Sequence, residues 1–230
     1  MGAVVVNTSG GIVAGDHLDH CFTAGPGTEA LITTQAAEKI YRSTGADSRL
    51  TVEIEVGDNA WLEWLPQETI IFDGARLRRH TTLNVASTAR VVTGEVLVFG
   101  RVARGENLTH GLVHDDWQVR LDGRLVWADS LHLAGALAAT LASPTGFRGS
   151  KAAATSIYIG PDAERWLEVA RELIHADGLW SGVTCIGSVL ISRWLGVDAA
   201  AVRLSYVQFL KAFRGRVGNL PPRLPTIWNV

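Results

Sequence analysis

The sequence predicts a mainly β fold: a single β-rich multilayer or helix-like sheet domain over residues 1–230, with two or three helices. Three observations carry this. From Arg49 to Val56 the chain alternates strictly, with Leu50, Val52, Ile54 and Val56 on one face and Thr51, Glu53 and Glu55 on the other. From Trp61 to Leu77 the stretch WLEWLPQETIIFDGARL reads as strand, bend, strand and turn, the corner where two layers meet. The helices are expected in the second half of the chain, although Ala36–Lys39 favours helix within an ambiguous stretch read as strand. A β-rich architecture holds 230 residues in one unit.

Taken in order, Ala3–Val6 is a β-branched strand, and Asn7–Gly11 and Gly15-Asp16 are turns. Leu18–Thr23 alternates, placing Leu18, His20 and Phe22 opposite Asp19, Cys21 and Thr23. Ala30–Ser43 reads as two strands with a break between them. Leu77–Val85 continues the sheet and carries Arg78, Arg79, His80, Thr82 and Asn84, read as solvated. Ala89–Phe99 is strand-like, interrupted at Gly94-Glu95, and Gly100–Gly105 is a basic link. Asp115–Leu121 and Gly123–Ser130 form a hairpin around Asp122-Gly123, a type I′ pair. No repeat period appears, so a regular solenoid is not inferred.

Leu133–Leu141 is rich in Ala and Leu and reads as a helix, followed by a loop over Thr145–Ala154 and a strand over Thr155–Ile159. Pro161–His175 reads as a second helix, with Pro161 at its start. Leu179–Val189 and Ile191–Leu195 are strand material. Asp198 caps the best helix, Ala199–Phe213, whose Val202, Tyr206, Phe209 and Phe213 share one face. The tail from Gly215 to Val230 is proline-rich and extended.

Composition narrows the function. The chain is 47% hydrophobic and 19% charged, with a formal net charge of -2, which offers no basic stripe for a nucleic acid. Eight tryptophans with little charge suit a protein partner as well as a core. Cys21 and Cys185 form no CxxC pair, and a reducing compartment is the default. Apolar runs are broken well before the length that spans a bilayer, and no signal peptide is visible, so a cytoplasmic protein is expected.

Ser9–Asp16, SGGIVAGD, lacks the lysine and hydroxyl of a phosphate loop and the spacing of a dinucleotide fingerprint, and reads as paired turns. Asp16, His17, Asp19, His20 and Cys21 are dense in metal-capable groups, but strand alternation sends neighbours to opposite faces. His110, His114, Asp115 and Asp116 form a second such group, read as loop residues. No GxSxG or HExxH motif is present. Glu63, Glu68 and Asp73 are open to acid–base work, to a weak cation path or to a solvated surface. Because Glu63 and Glu68 sit among apolar neighbours, a buried carboxylate there must be paired or shifted in pKa.

The segments NTSGGIVAGD (Asn7–Asp16), TTQAAEKIYRS (Thr33–Ser43), WLEWLPQETIIFDGARL (Trp61–Leu77), GEVLVFGRVARGE (Gly94–Glu106) and PRLPTIW (Pro222–Trp228) resemble the urease accessory protein D family. The likeness covers essentially the whole chain, loosest between Leu131 and Gly196. Family members usually carry some tens of residues before the strand at Ala3, where this sequence begins. The resemblance implies a non-enzymatic scaffold for nickel insertion, with nickel(II) bound transiently and no tightly held cofactor. It implies accessory protein F as direct partner, the GTPase accessory protein G through F, and apo-urease as recipient. Asp16, Glu63 and Glu68 become candidates for transient metal contact. Val202, Tyr206, Phe209, Phe213, Pro221 and Trp228 become candidates for the F interface. A structural interaction protein that never touches metal, or an enzyme with a carboxylate site, remain the alternatives.

Overall fold

The computed structural model describes residues 1–174 and 177–229. Two sheets face each other. The first holds β1 (Gly2–Val5), β3 (Glu29–Thr34), β4 (Glu38–Ile40), β6 (Trp61–Leu65), β7 (Thr69–Ile71), β9 (Arg90–Phe99), β12 (Ala152–Ile159), β13 (Trp180–Ile186) and β14 (Val189–Gly196). The second holds β2 (His17–Ala24), β5 (Ser48–Val56), β8 (Arg76–Val85), β10 (His110–Leu121) and β11 (Arg124–Ala136). The three α-helices are α1 (Leu137–Ala142), α2 (Leu167–Leu173) and α3 (Ala199–Val217).

The chain alternates between the sheets. β1, β3, β6 and β9 pair in parallel in one sheet, and β2, β5, β8 and β10 pair in parallel in the other. Successive turns of this helix-like winding begin at Gly2, Glu29, Trp61 and Arg90. The winding needs only inward apolar rows at each level, not identical turns, so it leaves no sequence repeat. Beyond β10 the path becomes antiparallel: β11 folds back on β10, and β12, β14 and β13 extend the first sheet. Asp122 and Gly123 have φ 46° and 81°, as the type I′ reading of this hairpin requires.

Apolar residues gather in three cores. Two lie between the sheets, one around Ile54, Leu62, Leu83 and Val119, the other around Ile40, Ile71, Leu77, Phe99 and Val113. The third lies on the outer face of the first sheet, where α3 covers Val92, Val96, Ala154, Tyr158 and Trp194. Asp198 caps α3, accepting from the backbone N–H of Ala200 (2.8 Å) and Ala201 (3.3 Å). The sheet lets the helix this close because Gly94 has no side chain. A Cβ there would lie 2.1 Å from the Thr155 carbonyl oxygen and 2.7 Å from the Tyr206 hydroxyl.

Several expectations are corrected. β9 runs unbroken through Gly94-Glu95, since the glycine serves packing rather than interruption. The Ala/Leu-rich Leu133–Leu141 begins as strand, because β11 stays paired with β10 as far as Ala136, and only Leu137–Ala142 is helical. Pro161–His175 is not one helix. It is a 3-10 turn over Ala163–Trp166 and the short α2, and its expected end at His175 lies outside the described residues. The strand at Thr155 starts earlier, at Ala152. α3 runs on to Val217, and the tail ends in a 3-10 turn over Thr226–Asn229 rather than staying extended.

Candidate functional site

The interior between the sheets is not uniformly apolar. A polar seam separates its two apolar cores, built from the inward-facing positions at mid-height of each strand. On β8 the inward row is Leu77, Arg79, Thr81, Leu83 and Val85, all buried. On β10 it is Val113, Asp115, Trp117 and Val119, and on β9 it is Val91, Thr93, Glu95, Leu97 and Phe99. Arg79, Glu95 and Asp115 are only 7%, 8% and 2% exposed. Arg79 was expected in solvent, Asp115 in a loop and Glu95 at a strand break; all three are instead the charged centre of the molecule.

Arg79 bridges the sheets. Its Nε donates to Asp115 Oδ1 at 2.9 Å, its Nη2 donates to both Asp115 and Glu95, and its Nη1 donates to Thr69 Oγ1 at 3.2 Å. Two carboxyl groups, one from each sheet, thus converge on one guanidinium. A buried ion pair repays its desolvation only with such multiple hydrogen bonds.

The seam opens at one side. A cavity of about 40 Å³ beside Arg79 is lined by His20, Thr34, Glu38, Trp64, Thr81 and Glu95 among others. His20, Thr34 and Glu38 also line a larger, open cavity of about 300 Å³ at the first turns of the winding. Burial pushes the His20 imidazole below its ordinary pKa, partly opposed by Asp19. Burial likewise pushes the Glu38 carboxyl up, against the hydrogen bonds it accepts from Asn7 Nδ2 at 3.1 and 3.2 Å. On the other side, Glu95 pairs in register with Thr155 and Thr155 with Arg193, whose Nη2 meets Asp129 Oδ2 at 2.6 Å across the sheets. Polar groups therefore reach from His20 at one edge to the buried centre, and the exposed Arg193–Asp129 pair stands at the opposite rim.

The carboxylates singled out in the sequence lie elsewhere. Glu63 and Glu68 face α3, on the outer side of the first sheet. Glu63 is 1% exposed and takes a two-pronged contact from Arg214, with Nε to Oε1 at 2.8 Å and Nη2 to Oε2 at 2.7 Å. Glu68 Oε2 accepts from Arg203 Nε at 3.0 Å, and Gln67 Oε1 accepts from the same guanidinium at 3.1 Å. These two clamps fix both ends of α3 to the organising stretch. Asp16 Oδ2 accepts from the Val13 backbone N–H at 2.9 Å and so closes a turn outside the seam.

The residues considered for partner binding are largely internal. Val202, Tyr206, Phe209, Phe213 and Trp228 are buried against the first sheet, because that face is the apolar stripe the helix must cover. Trp228 Nε1 donates to Thr33 Oγ1 at 3.0 Å, and Gln67 Nε2 donates to the Ile227 carbonyl at 3.1 Å, which tie the tail down. Pro221 is exposed, and its carbonyl accepts from Arg214. Exposed apolar side chains on and beside α3 include Leu204 and Val197.

Among the described residues, no three His, Cys, Asp or Glu side chains stand ready to hold one metal ion. His20 and Cys21 fall on opposite faces of β2, half-buried and exposed respectively. His114 donates or accepts within a surface set, 3.0 Å from Asp116 and 2.9 Å from Arg78, on the outer face of the second sheet. No helix is long and apolar enough to cross a membrane.

Residues 1–229 match the family described as UreD urease accessory protein. The chain belongs to that family. It is 44% identical over 232 residues to the urease accessory protein UreD of Magnetococcus marinus, covering 99% of this chain and 80% of the relative. It is 42% identical to the UreD proteins of Azorhizobium caulinodans and Xanthobacter autotrophicus, covering 98% of this chain and 81% and 76% of theirs. Of the segments that carry the resemblance, Trp61–Leu77 ties the seam to the helix that covers the first sheet. LPQET links the interior seam, through Pro66, Gln67 and Thr69, to the α3 clamps, through Gln67 and Glu68.

Proposed function

We propose that this protein is a non-enzymatic urease maturation factor that carries nickel(II) toward the active site of apo-urease through the seam between its sheets. Membership of the UreD urease accessory family supports the role in urease maturation. The observation that supports the route is the buried polar cluster of Arg79, Glu95 and Asp115 in an otherwise apolar interior, beside a cavity that reaches His20 and Glu38. Oxygen and imidazole ligands held loosely along such a seam suit a borderline cation in transit better than a closed site. The protein acts in the cytoplasm, in a complex with accessory protein F and, through F, with the GTPase G. The sequence has no phosphate loop of its own, in keeping with a separate GTPase.

The test is delivery. Apo-urease is incubated with nickel, accessory proteins F and G, and either this protein or its Glu95→Gln variant, and metal per urease active site is measured after desalting. Lost incorporation with the variant, with its complex with F intact on gel filtration, supports the reading. Full incorporation rejects the route. A purely structural role has one observation in its favour, the absence of a preformed three-ligand group among the described residues. That role gives equal incorporation for both proteins.

A further inference from the structure

The geometry points to Arg79 as a displaceable stand-in for the cation: its guanidinium occupies the place between Glu95 and Asp115 that a divalent metal ion takes during passage. The inference rests on the proposed cation route and adds the device that keeps binding along it weak.

Glu95 projects from the first sheet and Asp115 from the second, and both converge on the same Nη2 of Arg79. Among the described residues Arg79 is the only cation bonded to either carboxylate. A divalent ion in place of the guanidinium meets two carboxyl groups, one from each sheet. The hydroxyl of Thr93 lies on the same face of β9, two residues from Glu95. It is fully buried without a hydrogen-bond partner, an unused oxygen on the inward row that also carries Glu95. The guanidinium and Glu95 both line a cavity of about 40 Å³, which has room for a water beside them. A conducting site must attract its ion and still release it. An arginine already hydrogen-bonded there competes for both carboxylates, so an arriving ion gains little and leaves quickly.

The test is titration of the full-length protein with nickel(II) chloride at pH 7.5, by calorimetry and by metal-dependent melting temperature, for wild type, Arg79→Lys, Arg79→Gln and Arg79→Gln/Asp115→Asn. Losing the forked guanidinium frees both carboxylates, so Arg79→Gln is expected to bind one nickel roughly tenfold or more tighter than wild type. Arg79→Lys falls between them, and the double variant returns to weak binding. Should Arg79→Gln fold only when nickel is present, that dependence is itself the expected gain, and Arg79→Lys supplies the affinity. The proposal is overturned if neither single variant binds more tightly, or if the gain survives Asp115→Asn. The route and the stand-in fail separately. Delivery unaffected by Glu95→Gln alongside tighter binding by Arg79→Gln sinks the route alone. Delivery lost with Glu95→Gln but no gain in Arg79→Gln sinks the stand-in alone.

Discussion

Replacing Glu63 with leucine leaves the Arg214 guanidinium under α3 without its counter-charge. Arg214 is 8% exposed, and both of its carboxylate contacts are lost at once. What remains are two backbone carbonyls, those of Pro221 and Arg223, which accept from Nη1 but supply no negative charge. Breaking one side of such a buried pair costs about 3–5 kcal/mol, because the surviving ion stays out of water unpaired. In a chain of this length about 1 kcal/mol is worth roughly 2–4 °C of melting temperature, so a drop of about 10 °C is expected. The paired change Glu63→Leu/Arg214→Met removes both charges and should recover most of that loss. Circular dichroism melts of wild type, Glu63→Leu, Arg214→Met and the double variant give the coupling directly. A single variant that melts within about 2 °C of wild type, or a double variant that melts no higher than the single one, refutes the clamp.

Other outcomes follow from the same geometry. Tyr206→Phe removes a buried hydroxyl that has no hydrogen-bond partner and whose ionisation burial holds far above the ordinary range, so the melting temperature should hold or rise. Gly94→Ala places a methyl against the Thr155 carbonyl and the Tyr206 hydroxyl, and should leave the protein largely insoluble on expression. Asp198→Ala removes the α3 cap and should cost about 1 kcal/mol in a urea titration. Burial opposes ionisation of Asp162, but hydrogen bonds from Tyr158, Trp166 and Arg90 outweigh it and hold the carboxyl below its ordinary value. A carboxyl with a depressed folded pKa stabilises the fold above the unfolded value near 3.9 and loses that contribution as pH falls through the folded value. Stability measured from pH 5 down to pH 2 should therefore fall less steeply in Asp162→Asn.

Much of the sheet architecture was legible in alternation. The rows of β2 and β5 and the strand–bend–strand form of Trp61–Leu77 stand where the pattern put them. Asp198 at the start of α3 was legible from capping chemistry. The seam was not, although its signal was present. Arg79 shares parity with Leu77, Thr81, Leu83 and Val85, and Asp115 with Val113, Trp117 and Val119. Their charge points to solvent and their period to the interior, and in a wound sheet the period decides which way a side chain points. Glu63 and Glu68 were rightly marked as carboxylates in need of partners. Their partners, Arg214 and Arg203, lie 151 and 135 residues away in sequence, where no local rule reaches. The aromatic stripe of α3 read equally well as an interface and as a core. Only the sheet beneath it separates the two, since either surface asks for the same residues at the same spacing.

The most direct measurement of the central claim is the nickel content of apo-urease matured with accessory proteins F and G and one of three forms of this protein: wild type, Glu95→Gln, and His114→Gln as a control on the outer face of the second sheet. With the seam as the path, the control delivers as much nickel as wild type and Glu95→Gln delivers far less. Equal delivery by all three, each folded and bound to F, would contradict a path between the sheets.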